Sequence, residues 1–280
     1  MDVTAAPERP RRAWVAALLS IVQPGLGHLY VGEWKRALVL WLGGPAIFLV
    51  AFLARLARTF AGLTVVLAAA LLYLALTALD AVRLARARQH YALRRFNRWY
   101  WYGLVLLVLA LVPREPLLAW LPVRSFKVPA ASMEPTIRVG DRLFADMTCW
   151  QKEAPKRGDL VLFWSMERPD TSLIKRVIAT GGEKVEIRNK RVFINGQPLT
   201  DDWGQHSDPR TFPPGIGAAG RRDNFGPVEV PPGTVFVLGD NRDLSYDSRF
   251  FGPVPQSFLR GRPLYLYWAR DWSRIGADLR

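Results

Sequence analysis

Two apolar runs constrain this chain more than any other feature. Residues 37–54 and 59–79 carry no charged side chain across most of their length, and about 20 apolar residues in a helix match the hydrocarbon thickness of a bilayer. Both are read as membrane spans. A third span is read over 99–120. It opens on "WYWYGLVLLVLALVP", whose aromatics suit an interface. Arg114 and Glu115 interrupt it, at the far interface or reaching toward it. The earlier stretch 13–31 is apolar too, but Gln23, Pro24, Gly25 and Gly27 break its middle. It is expected to be re-entrant or interfacial.

The formal charge of +14 follows this pattern. Arg9, Arg11, Arg12, Lys35, Arg36, Arg83, Arg86, Arg88, Arg94, Arg95 and Arg98 flank the apolar runs, as in the cytoplasmic loops of membrane proteins. That placement favours membrane lipids as partners, and no nucleic acid. Three spans from an inside N-terminus put the Arg-rich loop 80–98 inside and the chain beyond 121 outside. Arg55 and Arg58 then lie outside, against the bias. One cysteine, Cys149, forms no intrachain framework, and His28, His90 and His206 have no metal-ligand spacing. No metal site is expected.

Near residue 122 the period changes. "RLFADM", "DLVLFW", "LIKRVIAT", "KVEIRN", "RVFING", "TVFVLGD" and "PLYLYWA" are short branched and aromatic runs separated by Pro, Gly, Asn and Asp. The domains are read as a membrane region, 1–121, and a mainly-β, barrel-like extracytoplasmic domain, 122–280. Residues 201–227 read as a long loop.

Three stretches of the second domain carry chemistry. A serine is a poor nucleophile until a base takes its proton, and Ser132 lies in "SFKVPAASMEPTIRVGDRLF". A lysine serves as that base only when burial or positive neighbours lower its pKa. Lys175, 43 residues on, lies in the apolar strand "SLIKRVIAT". Strand alternation puts Leu173 and Lys175 on one face, Ile174 and Arg176 on the other. The third stretch, "LGDNRDLSYDSRFFG", has the polar density of a loop that orients a catalytic amine, or of a solvated turn. Residue types alone leave both alternatives open.

"SMEPT", "GDRLF", "IKRVIATGG" and "GDNRDLSYDSRFFG", in that order behind a membrane anchor, resemble bacterial type I signal (leader) peptidase over about residues 122–270. The resemblance implies a serine endopeptidase of the inner membrane. It would remove signal peptides from exported preproteins after small residues, at Ala-X-Ala sites, near the export machinery and without a cofactor. Ser132 takes the nucleophile's place and Lys175 the base's. Ser245 falls where the family places the serine that hydrogen-bonds the lysine, and Asp247 and Arg249 on its structural ion pair. Phe126, Val128, Pro129, Met133, Ile137, Leu173 and Ile174 fall on the substrate-binding positions. So does Ala130, which stands where many relatives carry an oxyanion-hole serine and has no hydroxyl to donate. Glu183 replaces the usual aspartate after Gly182. The alternatives are a dedicated pilus or conjugation-system processing peptidase and a non-catalytic membrane scaffold on the same fold.

Overall fold

The computed structural model describes residues 11–87, 99–111, 122–168 and 170–280. It divides into two compact units, 1–121 and 122–280.

In the first unit, helix α1 (Ala13–Val22) and helix α2 (Leu26–Val31) are separated by a break at Gln23–Gly25. Gly25 takes φ +94°, a conformation that costs glycine least. Gly27 allows α2 to lie on α1, because a Cβ there would meet the Ala16 carbonyl and the Ser20 hydroxyl at 2.2 Å. The 13–31 stretch is thus a helical hairpin rather than one rod. Helix α3 (Trp34–Leu53) and helix α4 (Phe60–Ala87) are both long and apolar enough to cross a membrane. They run antiparallel: Arg36 meets Asp80, Tyr73 bonds the Leu40 carbonyl, and a tight turn joins them at 54–59.

The α4 helix corrects the expected 80–98 loop, since it continues two turns past residue 79. Ala81 and Ala85 pack with Ala16 and Val31 there. Asp80, which opens this extension, bonds buried His28 at 2.9 Å and reaches Arg36 at 3.5 Å. Residues 88–98 lie outside the described part. Helix α5 (Trp99–Leu111) covers the first half of the third expected span, and 112–121 lie outside the described residues.

The second unit is mainly β. Its strands are β1 (Val123–Lys127), β2 (Arg142–Asp146), β3 (Leu160–Trp164), β4 (Ser172–Thr180), β5 (Lys184–Arg188), β6 (Arg191–Ile194), β7 (Gln197–Pro198), β8 (Phe225–Glu229), β9 (Thr234–Leu238), β10 (Val254–Pro255) and β11 (Leu259–Trp268). A curled, open seven-stranded sheet has the order β1-β2-β11-β3-β4-β9-β10, and a four-stranded sheet the order β7-β6-β5-β8. All their pairings are antiparallel. β11 pairs with β3 up to Gly261 and with β2 from Arg262, with register shifts on both sides of the changeover.

Alternation along β3 sorts the core. Leu160 and Leu162 pack with Val128, Met133 and Ile137, whereas Val161 and Phe163 face Val177, Val235 and Val237. The stretch expected as a long loop, 201–227, contains a short helix, Gly217–Asp223, and the start of β8. That helix is held because buried Asp223 bonds the Phe212 N–H at 2.9 Å and the Arg222 guanidinium at 2.7 Å.

Candidate active site

Ser132 lies in a single 3₁₀ turn, Ala131–Met133, that leaves the end of β1. Val128 still pairs with the strand after it, its N–H donating to the Asp141 carbonyl at 2.9 Å. Pro129 and Ala130 are exposed, so the turn lifts Ser132 out of the sheet while Met133 and Ile137 are buried beneath it.

Lys175 comes from the middle of β4. It is 3% exposed, and its Nζ lies 2.8 Å from Ser132 Oγ. Burial disfavours the ammonium and lowers its pKa from the ordinary 10.5 to about 8. Asp247 and Asp240 oppose that shift and Arg249 adds to it. Arg176 turns away, as alternation requires, but it is buried rather than solvated. Its guanidinium holds both oxygens of Asp240, at 2.8 and 2.7 Å, and the Gly158 carbonyl at 2.7 Å. Asp240 also accepts from the Thr136 hydroxyl at 2.6 Å. One carboxylate therefore ties the strand of the lysine to the loop that follows the serine.

The polar loop 239–249 closes over the same turn. Asn241 donates from its side chain to the Ala131 carbonyl and from its backbone to the Ser132 carbonyl, each at 3.2 Å. Asp247 and Arg249 form a fully buried pair, with Nε and Nη2 at 2.9 and 2.8 Å from the two carboxylate oxygens. Burial acts to raise the Asp247 carboxyl, but the Arg249 charge and its hydrogen bonds hold it below the ordinary range. Among the described residues Ser245 Oγ, which is buried, has no hydrogen-bond partner of standard geometry, Lys175 included. It still adds to what favours the Asp247 carboxylate.

Gly239 has no room for a side chain. A Cβ there would fall 2.3 Å from Ser245 Oγ and 2.4 Å from the Ser132 carbonyl. Gly239→Ala should push the turn of Ser132 outward. A misplacement of about 1 Å costs on the order of 100-fold in rate, so any rate that depends on the contact between Ser132 and Lys175 should fall by about that factor while circular dichroism stays near wild type.

The apolar positions divide. Ile174 and Phe126 pack against the cluster of Val128, Met133 and Ile137. Leu173, on the other face of β4, packs with Val161, Phe163 and Val177. Met133 and Ile137 are 2% and 0% exposed, so they form a floor and do not line the surface. Sequence reasoning singled out the density of 239–249 but gave Asp240 and Asn241 no role, and it missed Thr136, which carried no signal of its own. Among the described residues no group of three or more His, Cys, Asp or Glu is placed to hold a metal ion.

The chain matches the family described as signal peptidase, peptidase S26, over residues 97–268. It is 38% identical over 148 residues to signal peptidase I of Leptolyngbya laminosa, covering 50% of this chain and 66% of that one. It is 33% identical over 146 residues to the probable signal peptidase I-2 of Synechocystis, covering 50% and 61%. Against the probable signal peptidase I-1 of Synechocystis it is 34% identical over 182 residues, covering 62% and 84%. The chain thus spans just under two thirds of the first two relatives and most of the third. The family match, over more than half of the chain and including the buried lysine and the serine it meets, places this chain in the signal peptidase (peptidase S26) family.

Proposed function

We propose that this protein is a membrane-bound serine endopeptidase that removes signal peptides from exported preproteins at the outer face of the bacterial inner membrane. The observation that carries the reading is the 2.8 Å contact between Lys175 Nζ and Ser132 Oγ, with the lysine buried. When the amine is neutral, the Ser132 hydroxyl donates to its lone pair. As Oγ attacks the scissile carbonyl, that proton passes to Nζ and then to the leaving amine, and an acyl-enzyme forms. The same amine next takes a proton from water, which cleaves the ester.

An extended substrate suits the geometry on the other side. Among the described residues β1 pairs only with β2, which leaves its outer edge, beside Ser132, without a strand partner there. A peptide added along 126–130 gains main-chain hydrogen bonds, and its alternate side chains meet the surface above Met133 and Ile137. Small residues fit a shallow floor of buried side chains.

The pKa of about 8 has a direct kinetic consequence. The neutral amine is the working form, so kcat/KM should rise about tenfold per pH unit below pH 8 and level off above about pH 9. A profile measured on an Ala-X-Ala peptide at constant ionic strength tests this. A limb that begins only near pH 10 would remove Lys175 from the role of base. Stability should follow the same group. Because the folded pKa is lowered, the unfolded chain binds more protons between about pH 8 and 10.5. The cost of burying Lys175 is therefore full below pH 8, on the order of 3 kcal/mol, and fades as pH rises through that window. Cleavage of a detergent-solubilised preprotein tests the reading as a whole.

A further inference from the structure

Beyond β11 the chain turns at residues 271–274 and runs back beside that strand. Leu266 N donates to the Ala277 carbonyl at 3.1 Å, Gly276 N to the Leu266 carbonyl at 2.8 Å and Leu279 N to the Leu264 carbonyl at 2.9 Å. Asp271 caps the turn, accepting from the Ser273 hydroxyl at 2.6 Å. This arm sends two side chains to the loop 134–141, which leaves Ser132. Leu279 is buried in the cluster that holds Val128, Met133 and Ile137. Arg274 reaches the loop's polar groups.

The Arg274 guanidinium makes two kinds of bond at once. Nη1 lies 2.8 Å from Asp141 Oδ2, and Nη2 donates to the Thr136 carbonyl at 2.7 Å. Asp141 is 2% exposed, and the same Oδ2 accepts the Arg138 N–H at 2.8 Å. A carboxylate so buried is costly without a counter-charge. A planar fork spans a carboxylate and a carbonyl where the point charge of a lysine does not.

Both anchored residues act on the candidate site. The Asp141 carbonyl accepts the Val128 N–H, and the Val128 carbonyl accepts the Gly140 N–H at 2.8 Å. Thr136 passes through its hydroxyl to Asp240, and from there to Arg176 beside the lysine. The loop is thus gripped from one side by the polar loop 239–249 and from the other by Arg274.

We propose that Arg274 is a positioning residue that fixes the floor of the substrate pockets and so enforces the preference for small side chains; this rests on the peptidase reading. Selection by steric exclusion turns on the height of that floor. One methylene in an apolar pocket changes selectivity by about 10- to 200-fold. Without the guanidinium, Asp141 keeps its charge unpaired, the Thr136 carbonyl loses its donor, and Val128, Met133 and Ile137 gain freedom to sink.

The test uses the full-length protein in detergent and two peptides, with Ala or Val at the third position before the cut. In Arg274→Ala the Ala/Val ratio of kcat/KM should narrow by about tenfold or more, by the same pocket arithmetic. Arg274→Lys keeps the charge and loses the fork, so it should fall between that variant and wild type. Hydrogen exchange at the Ile137 and Gly140 amides should accelerate in both variants while amides in β9 stay protected. Equal loss on both peptides, or unchanged exchange in 134–141, overturns the proposal. Wild type that cleaves neither peptide defeats the peptidase reading and the specificity role together, whereas unchanged exchange defeats only the clamp. If Arg274→Ala does not fold, Arg274→Lys decides by the same two readouts.

Discussion

Replacing Ser132 by alanine, or Lys175 by alanine, is expected to abolish preprotein cleavage and leave the fold intact. Each replacement removes one end of the 2.8 Å contact on which the proposed proton transfer depends. Groups that act as a unit lose nearly everything with the first deletion, so the two single variants and the double variant should be equally inactive, each down by at least about 10³-fold. The stability effects should differ. Ser132 stands on a half-buried turn and its loss should change stability little, whereas Lys175→Met, which keeps the volume and removes the buried amine, should raise the midpoint of thermal unfolding at pH 7. Cleavage by Ser132→Ala near the wild-type rate would end the nucleophile assignment. A Lys175→Ala enzyme that keeps a wild-type pH profile would end that of the base.

The second large effect concerns Asp247 and Arg249. Both are essentially unexposed, and they meet through two hydrogen bonds. Arg249 Nη2 also donates to the Arg242 carbonyl at 2.6 Å, and Asp247 accepts the Gly239 N–H at 3.1 Å. Removing either partner strands a buried charge, which costs about 3–5 kcal/mol. Arg249→Ala and Asp247→Ala should each lower the midpoint of thermal unfolding in detergent by several degrees. Activity should fall as well, because Gly239 and Asn241 hold the turn of Ser132. The double variant Asp247→Ala/Arg249→Ala should be less destabilised than the sum of the singles, since it leaves neither charge unpaired. Strict additivity in that cycle would show that the pair does not act as one unit.

Much of this was legible from periodicity. The two runs 37–54 and 59–79 read as helices because unbroken apolar residues at that length have few other solutions, and α3 and α4 follow them. The β runs after residue 122 read correctly because alternation sorts Leu160 and Leu162 from Val161 and Phe163. Helix ends were less readable. The α4 helix runs on through Asp80 because that carboxylate finds His28 and Arg36 on other helices, contacts that no local pattern encodes. The site was legible in its parts and not in its wiring. Ser132 and Lys175 were singled out by the resemblance of their motifs to the family, their residue types alone leaving the alternatives open. The bonds that join Thr136 to Asp240 and Arg274 to Asp141 link residues 104 and 133 positions apart, a separation at which sequence spacing carries no information.

The outer edge of β1 also bears on how copies of this protein behave toward one another. A strand that keeps a row of unpaired N–H and C=O groups invites a second chain to dock there. Here the strand reads Val123-Arg124-Ser125-Phe126-Lys127, with Arg124 and Lys127 exposed. Charged residues on an edge strand, lysine above all, are among the features that discourage a second copy from pairing there. Two copies would bring cationic strands side by side, which is unfavourable, while an uncharged, extended segment meets no such cost. A cationic edge thus disfavours the polymerisation of copies crowded in one membrane.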